Sequence, residues 1–238
     1  MIFNLIGSET SKIRIDWVIS NLSSLPAGLS ILDAGAGELK FKKFCKHLTY
    51  VSQDFAQYDG KGDEEGLQTG NWNNDNLDII SDITNIPVKK NSFDVILCSE
   101  VFEHLPDAVA TLNEFSRILK PGGTLLITAP FASLTHFAPY HFCGYNKYWY
   151  QHHLNRLNFT IEALDHNGSW FHFIAQELRR SRFISAKYSS KFLGFITRIS
   201  IIPILILLSL LARFDRGSHE TLCFNYMVRA KKINKKIK

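Results

Sequence analysis

Ile31-Leu32-Asp33-Ala34-Gly35-Ala36-Gly37 is the stretch that decides how this chain reads: an apolar run ending on an acid, then Gly-x-Gly. Leu29 to Asp33 has the length and composition of a buried strand, and Gly35 and Gly37 cut it off. Glu38 to His47 follows as a helix with Leu39, Phe44 and Leu48 inward. Upstream, residues 9–22 place Ile15, Val18, Ile19 and Leu22 at helical spacing behind Ser8 as a cap. Downstream, Tyr50 to Asp54 reads as a second strand, Leu77 to Ile83 as a third, Phe93 to Cys98 as a fourth and Thr124 to Thr128 as a fifth. Asp107 to Lys120 is a helix stopped by Pro121-Gly122-Gly123. A helix near 146–157, a strand near 158–165, helical material from 170 to 213 and a last strand from Thr221 to Ala230 complete the pass. Residues 55–76 are polar, carry Gly60, Gly62, Gly66 and Gly70, and form a surface loop long enough to suspect function. Strand and helix alternate from 29 to 165, which predicts an α/β fold: a doubly wound, mostly parallel sheet covered on both faces.

In such a sheet a ligand sits at the carboxyl ends of the strands, where the strand order reverses. A dinucleotide pyrophosphate is the first candidate, but the third glycine of G-x-G-x-x-G falls on Lys40. Asp33, just before the glycines, would also repel a diphosphate. A cationic ligand fits better, and the sulfonium and α-amino groups of S-adenosyl-L-methionine are such cations. Asp54 ends the next strand, 21 residues after Asp33, where an acid can bond ribose hydroxyls. Asp82-Ile83 ends the third strand, where a carboxylate can accept from an adenine amino group while Ile83 covers the ring. Ser99-Glu100 ends the fourth. Each acid alone reads as a solvated strand end or a helix cap; four successive strands delivering polar groups to one sheet edge read as a ligand site.

ILDAGAG, Asp54, SDITNIPVKKNSFDVILCSEVFEHLPD and LNEFSRILKPGGTLLITAP together resemble class I S-adenosylmethionine-dependent methyltransferases, in particular the broad type 11-like group acting on small molecules. The likeness runs from about Ile31 to Pro130. It implies a Rossmann-like seven-stranded sheet whose last strand is antiparallel, a place that Thr221 to Ala230 would fill. It also implies that Asp33, Gly35 and Gly37 flank the methionine moiety, and that Asp54, followed by Phe55, meets the ribose. Asp82 and Ile83 would then meet the adenine, with Ser99 and Glu100 lining the pocket. Many relatives carry a glycine two residues past Gly37, where this chain has Leu39; this is read as variation in helix packing.

Methyl transfer from a sulfonium is an in-line displacement, so much of the rate can come from holding the acceptor atom in line. A base is needed when the acceptor is a hydroxyl that must lose its proton. The candidates are His104, in SEVFEHLPD, and His136 and His141, in the segment after the fifth strand. For His104 a packed, supporting role competes with a catalytic one. From Phe131 to Tyr150, 8 of 20 residues are aromatic against 30 in the whole 238. Two readings of that cluster stand: a lid or stacking wall for a ring, and a small satellite core under a long loop. The four cysteines have no metal-ligand spacing. His152 and His153 point about 100° apart on a helix, so no metal site is expected.

The formal charge of +5 is unevenly spread. Residues 1–176 hold 13 basic and 19 acidic side chains; residues 177–238 hold 14 and 3. An acidic site-bearing part argues against nucleic acid as a partner. Ile199 to Ala212 has no charged residue, and its 14 residues span about 21 Å as a helix, short of the ~30 Å hydrocarbon core. It is either buried against the domain or lies in a bilayer interface, and its basic surroundings favour an anionic membrane surface, met through residues 192–213 and the Lys-rich tail. No basic and apolar leader opens the chain, and no oxidised framework is implied, so a cytoplasmic protein, peripheral on the inner face of the membrane, is expected. The layout is read as one domain over 1–238. It comprises a cofactor-binding half at about 25–130, an acceptor and lid region at 131–157 and an apolar helical insertion at 170–213. A final strand at 219–230 and a basic tail at 231–238 complete it. The function expected is methylation of a small or lipid-linked acceptor. A sugar hydroxyl in surface glycan synthesis is suggested by a likeness of HFAPYHF and Asn167-Gly-Ser-Trp-Phe to polysaccharide-assembly methyltransferases. The competing readings are a quinone or other lipid-soluble ring as acceptor, and a non-catalytic scaffold on the same fold.

Overall fold

The computed structural model describes residues 6–8 and 10–233. Met1 to Leu5, and Lys235, Lys236 and Lys238 of the basic tail, lie outside the described residues. The chain packs as two compact units: Asp16–Asp165 with Tyr226–Lys238, and Met1–Ile15 with His166–Asn225.

The larger unit is built on a sheet. Its strands are β1 (Ser30–Ala34), β2 (Thr49–Asp54), β3 (Ile79–Ile80), β4 (Phe93–Ser99), β5 (Leu119–Pro130), β6 (Phe159–Asn167) and β7 (Asn225–Lys232). They lie in the order β3-β2-β1-β4-β5-β7-β6. β1 pairs in parallel with β2 (Leu32 opposite Val51) and with β4 (Leu32 opposite Ile96), and β4 pairs in parallel with β5. The last strands run antiparallel, so the seven-stranded mixed sheet is the one expected. Ile31, Leu32, Val95, Ile96, Leu97, Leu125, Leu126 and Ile127 have no exposed surface, because both faces of the central strands are covered. Strand order reverses between β1 and β4, which places the ligand crevice at the carboxyl ends of those two strands.

Helices α1 (Thr10–Ser23), α2 (Ala108–Ile118) and α3 (Lys147–Arg156) form where the apolar spacing puts them. Three local readings are corrected. Glu38 to His47 is not an α-helix; the chain makes turns and a short 3-10 segment, Lys42–Phe44. Gly37 (φ +48) and Leu39 (φ +58) are left-handed, and no helix propagates through such residues. The third strand shrinks from Leu77–Ile83 to two residues, because Asp78 turns aside to accept from the Ser52 N–H and hydroxyl. Finally, Pro121-Gly122-Gly123 does not stop α2. The helix ends at Leu119, whose carbonyl, with that of Ser116, accepts from Lys232 Nζ. The Pro-Gly-Gly stretch lies inside β5, where a register shift against β4 absorbs it.

In the smaller unit, α4 (Trp170–Tyr188), α5 (Lys191–Ser200) and α6 (Ile202–Ala212) share a core of Ala175, Ile201, Leu205 and Leu208, against which Ile6, Phe171, Ile174 and Leu178 pack. The other faces of α5 and α6 are uncovered: Phe192 is 71% exposed, Phe195 58% and Ile206 55%, and Phe214, just past α6, is 74% exposed. No single described helix is long and apolar enough to cross a membrane, although α5 and α6 together, bent by 41°, match a broken span in length and composition.

Candidate active site

β1 and β2 deliver their acids side by side. Asp33 is 3% exposed, and the Tyr50 hydroxyl donates to its Oδ2 at 2.6 Å. Burial pushes the Asp33 carboxyl up to about 6; the Tyr50 bond pulls it back and the neighbouring Asp54 carboxylate pushes it further up. Asp54 Oδ2 accepts from the Gly37 N–H at 2.9 Å and Oδ1 from the Ala56 N–H at 3.0 Å. The Gly35 and Ala36 N–H groups both donate to the Gln53 carbonyl, so the glycine turn is tied to the end of β2. A Cβ at Gly37 would fall 2.6 Å from Trp72 Cζ2, and the left-handed φ there disfavours any other residue as well.

The donor set suits the cofactor suggested by the sequence. The burial of Asp33 is offset by nothing stronger than a hydroxyl, so an ammonium or sulfonium beside it would stabilise the carboxylate. Asp54 is oriented by two backbone donors, and each of its oxygens keeps acceptor capacity for ribose hydroxyls.

At the end of β4, the Ser99 hydroxyl lies 2.9 Å from that of Thr128, which donates to Glu100 Oε1 at 3.0 Å. Glu100 is left-handed (φ +57), and its N–H is held by the Thr128 carbonyl. Asp82 stands apart. It is exposed, and its Oδ1 accepts from the Thr84 N–H and hydroxyl, while Ile83 is buried. The loop that carries them is pinned to α2, because Glu114 accepts from the Ile86 N–H and Arg117 donates to the Ile86 and Val88 carbonyls. Thus the glycine turn is bonded to the end of β2 through Gln53 and Asp54, Asp33 is held by Tyr50, Ser99 and Glu100 bond to β5, and Asp82 and Ile83 belong to a separate turn.

Two long loops cover the strand ends. The Leu67 N–H donates to the Thr135 carbonyl, the Phe137 N–H to that of Leu67, and the Asp63 N–H to that of Ala138. A Cβ at Gly62 would run into the Ala138 carbonyl, so this close approach needs glycine. Tyr58 stacks on Phe137 at 4.6 Å, Trp72 meets both rings edge-on, and Phe55 meets Tyr140 at 5.1 Å. The aromatic cluster after β5 therefore divides. Phe137 and Tyr140 join the covering loops, while Tyr145 and Tyr150 are buried beside Phe102 and Trp149 as a satellite core.

Three histidines cluster here, His104 after β4 and His136 and His141 on the covering loop after β5. The His136 ring is 4.8 Å from His104 and 4.5 Å from His141. His104 Nδ1 lies 2.6 Å from the Tyr140 carbonyl, and burial, with the neighbouring His136, holds the ring down to about 3. A ring so weakly basic takes no proton near neutrality, which favours the supporting role of His104 over the basic one. Burial lowers His141 as well, and its Nε2 lies 3.1 Å from the Ser133 hydroxyl. His152 and His153 sit on α3, with rings nearly perpendicular at 4.9 Å. Sequence reasoning passed over Trp72, Tyr58 and Glu103. A lone Trp in a polar, glycine-rich loop was the available signal for the first.

Residues 32–127 match the methyltransferase-domain family. The chain is 29% identical over 121 residues to a ubiquinone biosynthesis O-methyltransferase of Xanthomonas oryzae pv. oryzae, covering 50% of this chain and 49% of the relative. It thus spans about half the length of that curated relative. Among solved structures, the YcgJ protein of Bacillus subtilis superposes with a TM-score of 0.56 at 13% identity, over 94% of this chain and 99% of that one. Phosphoethanolamine N-methyltransferase 2 of Haemonchus contortus, solved with S-adenosyl-L-methionine, gives 0.52 at 16% identity, over 98% and 54%. At these identities the structural likeness establishes the fold alone.

Proposed function

We propose that this chain, whose residues 32–127 are a methyltransferase domain, is an S-adenosylmethionine-dependent methyltransferase of a hydroxyl on a small lipid-soluble or lipid-linked acceptor. The observation that carries the reading is the glycine turn at the reversal of strand order, with buried Asp33 just before it and Asp54 bonded to the Gly37 N–H. A scaffold that bound nothing would have no physical need to bury a carboxylate at a cost to its own ionisation.

S-adenosylmethionine supplies an activated methyl group on a cationic sulfur. Asp33 would hold its cationic end and Asp54 would accept from its ribose. The covering loops exclude water and present Phe55, Phe137 and Tyr140 to the acceptor. The acceptor hydroxyl gives its proton to His136 or His141, and the chain's main contribution is to hold that oxygen in line. His136→Ala and His141→Ala each test this: loss of turnover with S-adenosylmethionine affinity kept supports a role for that ring at the acceptor, and unchanged turnover in both removes the pair from it.

The lipid-borne nature of the acceptor rests on the uncovered apolar faces of α5 and α6, flanked by Lys187, Lys191, Arg198 and Arg213. Such a surface suits the headgroup boundary of an anionic membrane on the cytoplasmic side. The named relative's role in ubiquinone biosynthesis favours a ring hydroxyl, and the likeness of HFAPYHF to glycan enzymes favours a sugar hydroxyl. Incubation with methyl-labelled S-adenosylmethionine and membrane extract separates these readings. Label in a free lipid-soluble ring supports the first, label in a lipid-linked saccharide supports the second, and label in neither overturns both.

A further inference from the structure

Glu103, His104 and His136 bring three ligand atoms within 4.8 Å of one another. The His104 Nδ1 lies 2.6 Å from the Tyr140 carbonyl and the His136 Nδ1 2.8 Å from the Leu134 carbonyl. A carbonyl can only accept, so each Nδ1 carries the proton and each Nε2 presents a lone pair. Both lone pairs face the same carboxylate oxygen, Glu103 Oε1, at 3.7 and 3.9 Å. Neither distance is a hydrogen bond. The His104 Nε2 is buried without a hydrogen-bond partner among the described residues, and Glu103 is 1% exposed. A cation seated between the two Nε2 atoms and Glu103 Oε1 would turn this arrangement into coordination. Nδ1–H donated to a backbone carbonyl is also the bond that fixes tautomer and ring plane in metal-ligating histidines.

We propose that Glu103, His104 and His136 form a two-histidine, one-carboxylate site for a divalent transition-metal cation. Imidazole with carboxylate suits Zn²⁺, Mn²⁺, Fe²⁺ or Co²⁺ better than Mg²⁺ or Ca²⁺, and three protein ligands leave positions for an oxygen of the acceptor. The role of the cation rests on the methyl-transfer reading. The acceptor O–H binds through oxygen and loses its proton to His141, whose ring lies 4.5 Å from that of His136. The oxygen then forms a bond to the methyl carbon while the carbon–sulfur bond breaks, its electron pair remaining on sulfur. A vicinal diol or catechol, which offers two oxygens, is the acceptor class such a site selects.

Titration of the full chain with Co²⁺, followed by visible absorption and calorimetry, tests the site. The expected result is one equivalent bound with ligand-field bands, weakened at least about tenfold in Glu103→Gln and His136→Ala, with S-adenosylmethionine affinity unchanged in both. His136→Ala lies on a covering loop and reads the site even if the buried Glu103 variant fails to fold. No Co²⁺ uptake by the wild type, or uptake by His136→Ala equal to it, overturns the proposal. Co²⁺ uptake that follows the expected pattern, in a chain that binds no S-adenosylmethionine, supports the metal site and contradicts the methyltransferase reading.

Discussion

At the scale of single residues, Asp33 illustrates a site that costs stability. An aspartate in an unfolded chain titrates near 3.9, and burial pushes this one up to about 6. As pH rises through the window between those values, the unfolded chain ionises first and the folded state loses stability, by about 3 kcal/mol in order of magnitude. Asp33→Asn keeps an acceptor for Tyr50 and removes this loss. Thermal melts from pH 4 to 8 are expected to show the variant more stable at pH 8, with the gap closing toward pH 4; a constant gap would contradict the assignment. Because a cation needs the ionised carboxylate, wild-type affinity for S-adenosylmethionine should rise up to tenfold per pH unit below 6 and level off above it, as calorimetry at several pH values would show. The placing of Asp33, Gly35 and Gly37 at a strand end was legible in the sequence because they close the apolar run of β1. Trp72 and Glu103 were not. Trp72 meets Gly37 from 35 residues away, and Glu103 meets His136 from 33 residues away, and nothing local marks such contacts.

At the scale of elements, the covering loops give the clearest expectation. The Trp72 ring lies on Gly37, beside the carboxylates, so a ligand that reaches the turn must change its surroundings. Addition of S-adenosylmethionine should alter the tryptophan emission, and Trp72→Phe should remove most of that change despite Trp17, Trp149 and Trp170 remaining. A change that persists in the variant would place the ligand elsewhere. Gly62→Val should separate the two loops by forcing a side chain against the Ala138 carbonyl; faster proteolysis within 55–76 with little loss of global stability is the outcome to look for. Strands β1 and β4 could be read directly, since their largely apolar runs, closed by glycine or a polar end, leave few alternatives. The helix expected at 38–47 could not be excluded from its spacing, because the obstacle is conformational: left-handed Gly37 and Leu39 block helix growth while the apolar residues keep a helical period.

At the scale of the molecule, alternation of strand and helix was enough for the sheet class, and the charge tally separates an acidic stretch, residues 1–176, from a basic remainder. The faces of α5 and α6 were not legible, since a helix apolar all round gives no indication of which side is covered. The structure leaves Phe192, Phe195, Ile206 and Phe214 outward, and flotation with anionic vesicles is expected to carry the protein at low salt. Phe192→Ser with Phe195→Ser should weaken that binding severalfold, whereas equal recovery with neutral vesicles at high salt would contradict an electrostatic and apolar surface acting together. The central claim, that the glycine turn and its acids hold S-adenosylmethionine, is tested most directly by calorimetric titration of that cofactor into the wild type and Asp54→Ala. One equivalent bound by the wild type, with affinity at least about tenfold weaker once the ribose acceptor is removed, is the predicted result. No binding, or equal affinity in the two proteins, would contradict it.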